Sequence, residues 1–476
     1  LLTEYHVIKA EYFEQAEKKT RLKAFLGKYN PGKYRVITKK DGKKDIIIEG
    51  TPESKKIKME KKIIPAKVAF LGGGKVWTTF SRAQKDGIEE TRQVDLNYSN
   101  PNVFVESLII ALSYLERGAS FLRLDAIGYL WKEIGASCIH EEKTHKIIQA
   151  VQAVLKEAAP GVITVAEVNE PQEEAFKYIG SIKNPEADMA YQFVHFPLAV
   201  YSVLTGNAGY YREWIDTIVE YGVKQFLLVF GSHDGMGLKP VMNILPADEL
   251  RKMEIILVDK FGARPNKARL STGEEITYEI CATPWNLINN PDSGEALRLQ
   301  LKRYVAVAMM GMAHRALRAF YINSYIGAAN YTKELDENRT INRERFEESK
   351  LIAELDDPSN PKSIIMHTLN TIIGRCTHQA AFDPHGPAIR TMETGNDALL
   401  AEVLETPDKD DSEKIIQLIN VSGREVSLEF AIGKESGADK LFEIFSGKNK
   451  VYTIKDGAIY ITLEPYDVFW FKEKDE

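Results

Sequence analysis

Cysteine is scarce in this sequence. Cys138, Cys281 and Cys376 are the only three in 476 residues, widely spaced and in no metal-ligand pattern. Such usage argues against a cysteine metal cluster and fits a reducing compartment in which thiols stay free. Long apolar runs are lacking as well. The nearest, residues 189–211, is interrupted by Gln192, His195, Pro197 and Asn207, so it reads as a buried core segment and no membrane partner is expected. Residues 1–20 show no signal-peptide pattern, and the natural start is expected upstream of Leu1. No internal repeat, metal cluster or cofactor motif is visible, so no cofactor is expected.

What is present is ordinary for a globular protein: 44% hydrophobic and 27% charged residues, in a length that allows one large domain and a smaller one. Charge is unevenly placed. Residues 1–66 hold 17 Lys/Arg against 9 Asp/Glu, a local balance of +8 within a chain of net −6. The lysines alternate with acids and follow no recognition motif, so a solvated surface segment is expected there and no nucleic-acid partner.

The first 85 residues combine this lysine-rich composition with short β-prone pieces at 44–48, 67–71 and 75–80. From about residue 100, amphipathic helical stretches (107–116, 144–158) alternate with short apolar strands (121–125, 162–168), and strand patterns continue at 188–193, 226–234 and 317–323. Such alternation predicts an α/β fold with parallel strands, and polar residues at the strand C-termini lie where a (β/α)8 barrel does its chemistry. From about residue 390, short strands joined by Gly/Asp turns predict a separate antiparallel domain. The resulting division is a lid-like segment over 1–85, a catalytic barrel over 86–389 and a C-terminal β domain over 390–476.

Three strand ends carry acids. Phe121-Leu-Arg-Leu-Asp125 sets Arg123 and Asp125 two residues apart and so on one face. Val162-Ile-Thr-Val-Ala-Glu167 ends in a carboxylate, and the strand from Phe226 ends in His233-Asp234. Retaining glycoside chemistry needs an ionised carboxylate to attack the anomeric carbon and a carboxyl to protonate the leaving oxygen, roughly 5–5.5 Å apart. An arginine beside the nucleophile favours its charged form. A third acid can grip sugar hydroxyls in the transition state. Each piece alone is weak; an Asp after a strand is often a helix cap. Their ordered recurrence on separate strands is the signal.

Arg123-Leu-Asp125, Ala166-Glu167-Val168-Asn169 and Ser232-His233-Asp234-Gly235 resemble the second, third and fourth signature regions of glycoside hydrolase family 13, the α-amylase clan. Val76-Trp-Thr-Thr-Phe-Ser81, Val94-Asp-Leu-Asn-Tyr98, Tyr129-Leu-Trp-Lys-Glu133, Ser137-Cys-Ile-His140, Ser232-His-Asp-Gly-Met-Gly237 and Thr340-Ile-Asn-Arg343 resemble the sucrose-phosphorylase subfamily, in its glucosylglycerate and sucrose 6′-phosphate phosphorylase branch. The resemblance covers about residues 75–390. It implies Asp125 as nucleophile, Glu167 as acid/base, Asp234 as transition-state stabiliser, and Arg123 and His233 at the glucose. Phosphate, the co-substrate, would then attack the glucosyl-enzyme to give α-glucose 1-phosphate. Tyr129 is a candidate wall of the acceptor site, a core aromatic being an equal alternative. Arg339 and Arg343 are candidates for the phosphate, a surface ion pair being at least as good a reading of each.

The family's first signature has no match, nor has the earlier aspartate that grips the distal hydroxyls. The expected fold is therefore a TIM barrel whose first three strands are missing, from a truncated chain or with a partner supplying them. Ala313-His-Arg-Ala-Leu-Arg318 replaces the usual Gly-Val-Pro, Asn323 stands where a histidine is expected, and His195 reads as a core histidine. Partners implied are a small α-glucoside and phosphate; a homodimer is compatible with the sequence, and the cytoplasm is the expected location. The alternatives are an α-glucoside hydrolase or transglucosidase using the same carboxylates, and an inactive glucoside-binding remnant.

Overall fold

A computed structural model describes residues 95–473 apart from short stretches at 134–135, 222–225, 270–274, 291, 334–336, 384–388, 407–412, 434–436 and 447–449; before residue 95 it describes the backbone of seven short strands. Contacts divide the chain into two compact units, one of residues 1–168 with 178–188 and the other of 169–177 with 189–476.

In the first unit, Val7–Lys9, Lys44–Ile48 and Tyr34–Thr38 form an antiparallel sheet in that order. Two hairpins follow, pairing Ala66–Ala69 with Lys75–Thr78 and Arg82–Lys85 with Ile88–Thr91. The lid-like role expected for residues 1–85 depends on side chains outside the described residues. Helix α1 (Pro101–Glu116) starts at Asn100, whose side chain accepts from the Asn102 amide, with Pro101 in the first turn where its missing N–H costs nothing. Strand β1 (Phe121–Leu124), helix α2 (Glu142–Ala158) and strand β2 (Ile163–Ala166) complete a βαβ unit. Thr144, Ile148, Gln152 and Leu155 recur at helical spacing along the buried face of α2. β1 and β2 pair in parallel from Phe121↔Ile163 to Leu124↔Ala166, over a core of Ile127, Ile148, Ala166, Val168, Tyr178 and Ala187.

The second unit continues the alternation with β3 (Met189–Gln192), α3 (His195–Thr205), α4 (Gly209–Tyr221), β4 (Phe226–Phe230), α5 (Leu297–Met312) and β5 (Leu317–Phe320). β3, β4 and β5 are parallel neighbours in that order. β4 is apolar and buried throughout, as a parallel strand covered on both faces should be. Every residue of α5 from Arg303 to Met312 is buried, so this part of the helix is packed all round. His195 is a core histidine as expected: fully buried, with Nδ1 2.8 Å from the Tyr211 hydroxyl.

The C-terminal strands form an antiparallel sheet ordered Arg390–Met392, Leu399–Glu405, Lys414–Asn420, Val468–Glu473, Lys440–Glu443, Lys450–Thr453, beside the pair Val426–Ala431 and Ala458–Leu463. Trp470 is buried in the core shared with α3, α4 and α5, its indole N–H donating to Gln417. The departure at 313–318 has a structural use: the Arg315 guanidinium donates to the carbonyls of Ala381, Asp383 and Glu405 at 2.7–2.8 Å, tying the residues after α5 to the turn at 381–383 and to the first long strand of the β domain.

Candidate active site

In the first unit, parallel register brings two of the predicted acids together. Leu124 pairs with Ala166, so Asp125 and Glu167 are the next residues in step, and the Glu167 amide donates to the Leu124 carbonyl at 3.0 Å. Neighbouring strands lie about 4.8 Å apart, and residues in step on a parallel pair present side chains to one face. The chain leaves Asp125 through Ala126, which has a left-handed φ of 48°, and its amide donates to Glu167 Oε2 at 3.1 Å. Arg123 bridges the pair: Nη1 lies 2.5 Å from Asp125 Oδ1 and Nη2 3.7 Å from Glu167 Oε1. One guanidinium therefore spans both carboxylates. Asp125 is 64% exposed and Glu167 only 13%, so the first is open to an incoming molecule and the second is sheltered.

The segment that follows this strand end is held by its own contacts. Tyr129 closes a short 3-10 turn, Ile127–Tyr129, and is half-buried. Lys132 donates to its carbonyl and lies 3.6 Å from Asp95, with burial pulling the lysine pKa down against that partner. In the Ser137–His140 motif, Cys138 and His140 both take positive φ. The His140 amide donates to the Gly128 carbonyl, while its Nδ1 meets the Tyr178 hydroxyl at 2.7 Å.

In the second unit, β4 ends at Phe230, and Gly231, with a φ of 73°, turns the chain into Ser232-His233-Asp234. A Cβ here would lie 2.2 Å from Pro284 Cγ, so glycine is required. The Asp234 amide donates to Ser232 Oγ, and its Oδ1 lies 2.6 Å from Arg343 Nη2, 3.1 Å from Arg339 Nη1 and 3.5 Å from His233 Nε2. Both arginines sit on or beside the 3-10 turn Asn338–Asn342. Arg343 also donates through Nε to the His233 carbonyl, and its Nη1 lies 3.2 Å from Glu337.

Sequence reasoning missed the group behind Arg339. Glu279, on the strand Glu275–Cys281, is buried and takes Arg339 with both oxygens, at 2.8 Å from Nε and 2.7 Å from Nη2. Burial works to lower the Arg339 pKa, and Glu279 with Asp234 more than reverses it, so the guanidinium is firmly charged. Asn323, in place of the expected histidine, is buried and donates to the Asn342 carbonyl beneath the same turn. Among the described residues no group of three His, Cys, Asp or Glu side chains could hold a metal ion.

A parallel β/α frame with paired acids at its strand ends is an arrangement that glycoside chemistry can use. The family model described as "Alpha amylase, catalytic domain" matches residues 7–279, and the chain belongs to that family. The chain is 32% identical over 403 residues to glucosylglycerate phosphorylase of Spirochaeta thermophila, covering 83% of this chain and 65% of that protein. The corresponding Escherichia coli K12 enzyme is 30% identical over 402 residues, covering 83% and 66%. The chain thus spans just under two thirds of the length of these relatives. Sucrose 6F-phosphate phosphorylase from Thermoanaerobacter thermosaccharolyticum shares the fold, with a TM-score of 0.59 at 16% identity over 98% of this chain and 82% of that one. The expected barrel-type fold with a C-terminal β domain is therefore confirmed.

Proposed function

We propose that this protein is a retaining glycoside phosphorylase that cleaves a glucosylglycerate- or sucrose-like α-glucoside with phosphate. Asp125 attacks the anomeric carbon; the bond to the aglycone breaks, and Glu167 gives its proton to the departing oxygen. A phosphate oxygen then attacks the same carbon, the bond to Asp125 breaks, and Glu167 takes the phosphate proton, leaving α-glucose 1-phosphate with net retention. Asp234 stabilises the transition state, Arg123 and His233 line the glucose, and Tyr129 borders the aglycone. Arg339 and Arg343 recognise phosphate, for which guanidinium geometry is suited. The observation that carries this reading is Arg123 spanning two carboxylates held in step by parallel strands. Two relatives named glucosylglycerate phosphorylase support phosphate as the acceptor and an anionic aglycone.

The deciding experiment is glucose 1-phosphate release from glucosylglycerate and from sucrose, each with and without phosphate. The expectation is release that rises with phosphate and saturates. Equal glucosyl turnover with and without phosphate would instead make the protein a hydrolase or transglucosidase with the same carboxylates. A glucosyl fluoride turned over no faster than by Asp125→Asn would make it a glucoside-binding remnant. We place the enzyme in the cytoplasm, where phosphate is plentiful; Cys138, Cys281 and Cys376 are free and buried, in keeping with that. Among the described residues no helix is long and apolar enough to cross a membrane.

A further inference from the structure

A guanidinium has five N–H donors in a rigid plane, with a side edge formed by Nε and one terminal nitrogen and a distal edge formed by the two terminal nitrogens. Glu279 occupies the side edge of Arg339 with both of its oxygens. The distal edge is what remains, and its Nη1 points at Asp234.

The carboxylate behind Arg339 is itself fixed. The Glu279 side chain is 2% exposed, its Oε1 accepts a further bond from Asn266 Nδ2 at 2.7 Å, and Gly235 leaves so little room that an added Cβ would lie 3.0 Å from Glu279 Cγ. The arginine's own turn is fastened to the same hairpin: Asn338 donates to the Pro265 carbonyl and to Asn266 Oδ1. Arg339 is thus held at both its backbone and its head. The other arginine is held differently. Arg343 rests on a backbone carbonyl, on Asp234 at 2.6 Å and on Glu337, a partner that is itself 35% exposed, with no buried carboxylate among the described residues taking its side edge.

We propose that Glu279 is a positioning residue for the acceptor anion: it locks Arg339 as a pre-oriented donor, so that phosphate enters by taking over the distal edge of a guanidinium that does not move, while Arg343 adjusts. This rests on the phosphorylase reading and deepens it by dividing the two arginines into a fixed and an adaptive member. Preorganised donors of this kind bind an oxyanion without reorganisation on entry. In Glu279→Gln the amide turns a donor towards a donor and removes the charge, so Arg339, whose Nη1 already lies 3.1 Å from Asp234, is free to turn fully onto that carboxylate.

The test is steady-state phosphorolysis at varied phosphate for wild type, Glu279→Gln and Glu279→Asp. For Glu279→Gln, the KM for phosphate should rise about tenfold while kcat falls less than about threefold, and Glu279→Asp should recover part of the loss because it keeps the charge. Asn266→Ala, which removes the outer hydrogen bond to Glu279 together with the Asn266 bonds to Asn338 and Cys281, should raise the KM for phosphate about two- to threefold and decides the matter if Glu279→Gln does not fold. A folded Glu279→Gln or Asn266→Ala enzyme with the wild-type KM for phosphate overturns the proposal and leaves the phosphorylase reading intact. So does a loss confined to kcat. Wild-type turnover that ignores phosphate would overturn both.

Discussion

Glu402 gives the sharpest quantitative expectation. It lies on Leu399–Glu405, fully buried; Oε2 accepts from Gln417 Nε2 at 2.7 Å, and Oε1 has no hydrogen-bond partner among the described residues. Burial, opposed by the Gln417 bond, pushes its carboxyl up from 4.5 to about 8. Between those values the folded protein keeps a proton that the unfolded chain has released, so stability present below pH 4.5 is lost as pH rises towards 8. The slope is about 1.4 kcal/mol per pH unit, hence about 3 kcal/mol lost by pH 7 and about 5 by pH 8. His314, driven from 6.5 to about 3 by burial and by the charge of Arg318, and His195, lowered by burial and by His314, act in the opposite direction. Below pH 6.5 the unfolded chain gains two protons that the fold refuses, which costs about 2.7 kcal/mol per unit against about 1.4 returned by Glu402. Stability should therefore peak near pH 6.5. Glu402→Met removes the raised carboxyl and its unpaired oxygen, and gives up one hydrogen bond of about 1 kcal/mol. Gln417 retains its bonds to the Met309 carbonyl and Trp470. The variant should be about 2 kcal/mol more stable at pH 7 and should show no further decline to pH 8. Unfolding in guanidinium or by heat, measured from pH 5 to 9 at one scan rate, gives the profile. A wild type whose midpoint climbs steadily to pH 8, or a Glu402→Met protein less stable at pH 7, would refute the reasoning.

The remaining expectations concern the site and its supports. Glu167→Gln should lose turnover of a glucoside with a poor leaving group by roughly 10²–10⁴-fold, yet keep most of its activity on glucosyl fluoride, which needs little proton assistance; equal losses would contradict its acid/base role. Asp125→Asn should lose both substrates alike, by roughly 10³-fold or more. Gly231→Ala should cost about 2–3 kcal/mol in a denaturant melt, since the residue combines a φ of 73° with a Cβ position 2.2 Å from Pro284, and should raise KM for the glucoside by displacing Asp234. Arg315→Met should cost about 3 kcal/mol by stranding three carbonyls, and should show in limited proteolysis as earlier cleavage within residues 384–412.

The framework was legible because its signals are local. An apolar run such as Phe226–Phe230 announces a strand buried on both faces, and an acid directly after such a run falls at a strand end whatever lies further along the chain. The pairing of Asp125 with Glu167 follows from two strand ends and parallel register alone. The missed features are those whose meaning is set from a distance. Glu279 sits in Glu-Ile-Thr-Tyr-Glu-Ile-Cys, an alternation in which a glutamate reads as a solvent-facing residue; it is buried because Arg339, 60 residues later, covers it. Leu399–Glu405 carries two glutamates and shows no alternation, so the sequence marks neither the strand nor Glu402 as core. The neighbours of Glu402, Gln417 and Tyr211, belong to another strand and to α4. Arg315 looks like one more surface arginine until three carbonyls from two later segments close around it. A buried charge is recognisable only with its partner, and composition and spacing carry no trace of a partnership that tertiary packing creates. Asp125 and Glu167 escape this limit because their partner, Arg123, sits on the strand that Asp125 follows and in parallel register with the strand that Glu167 follows.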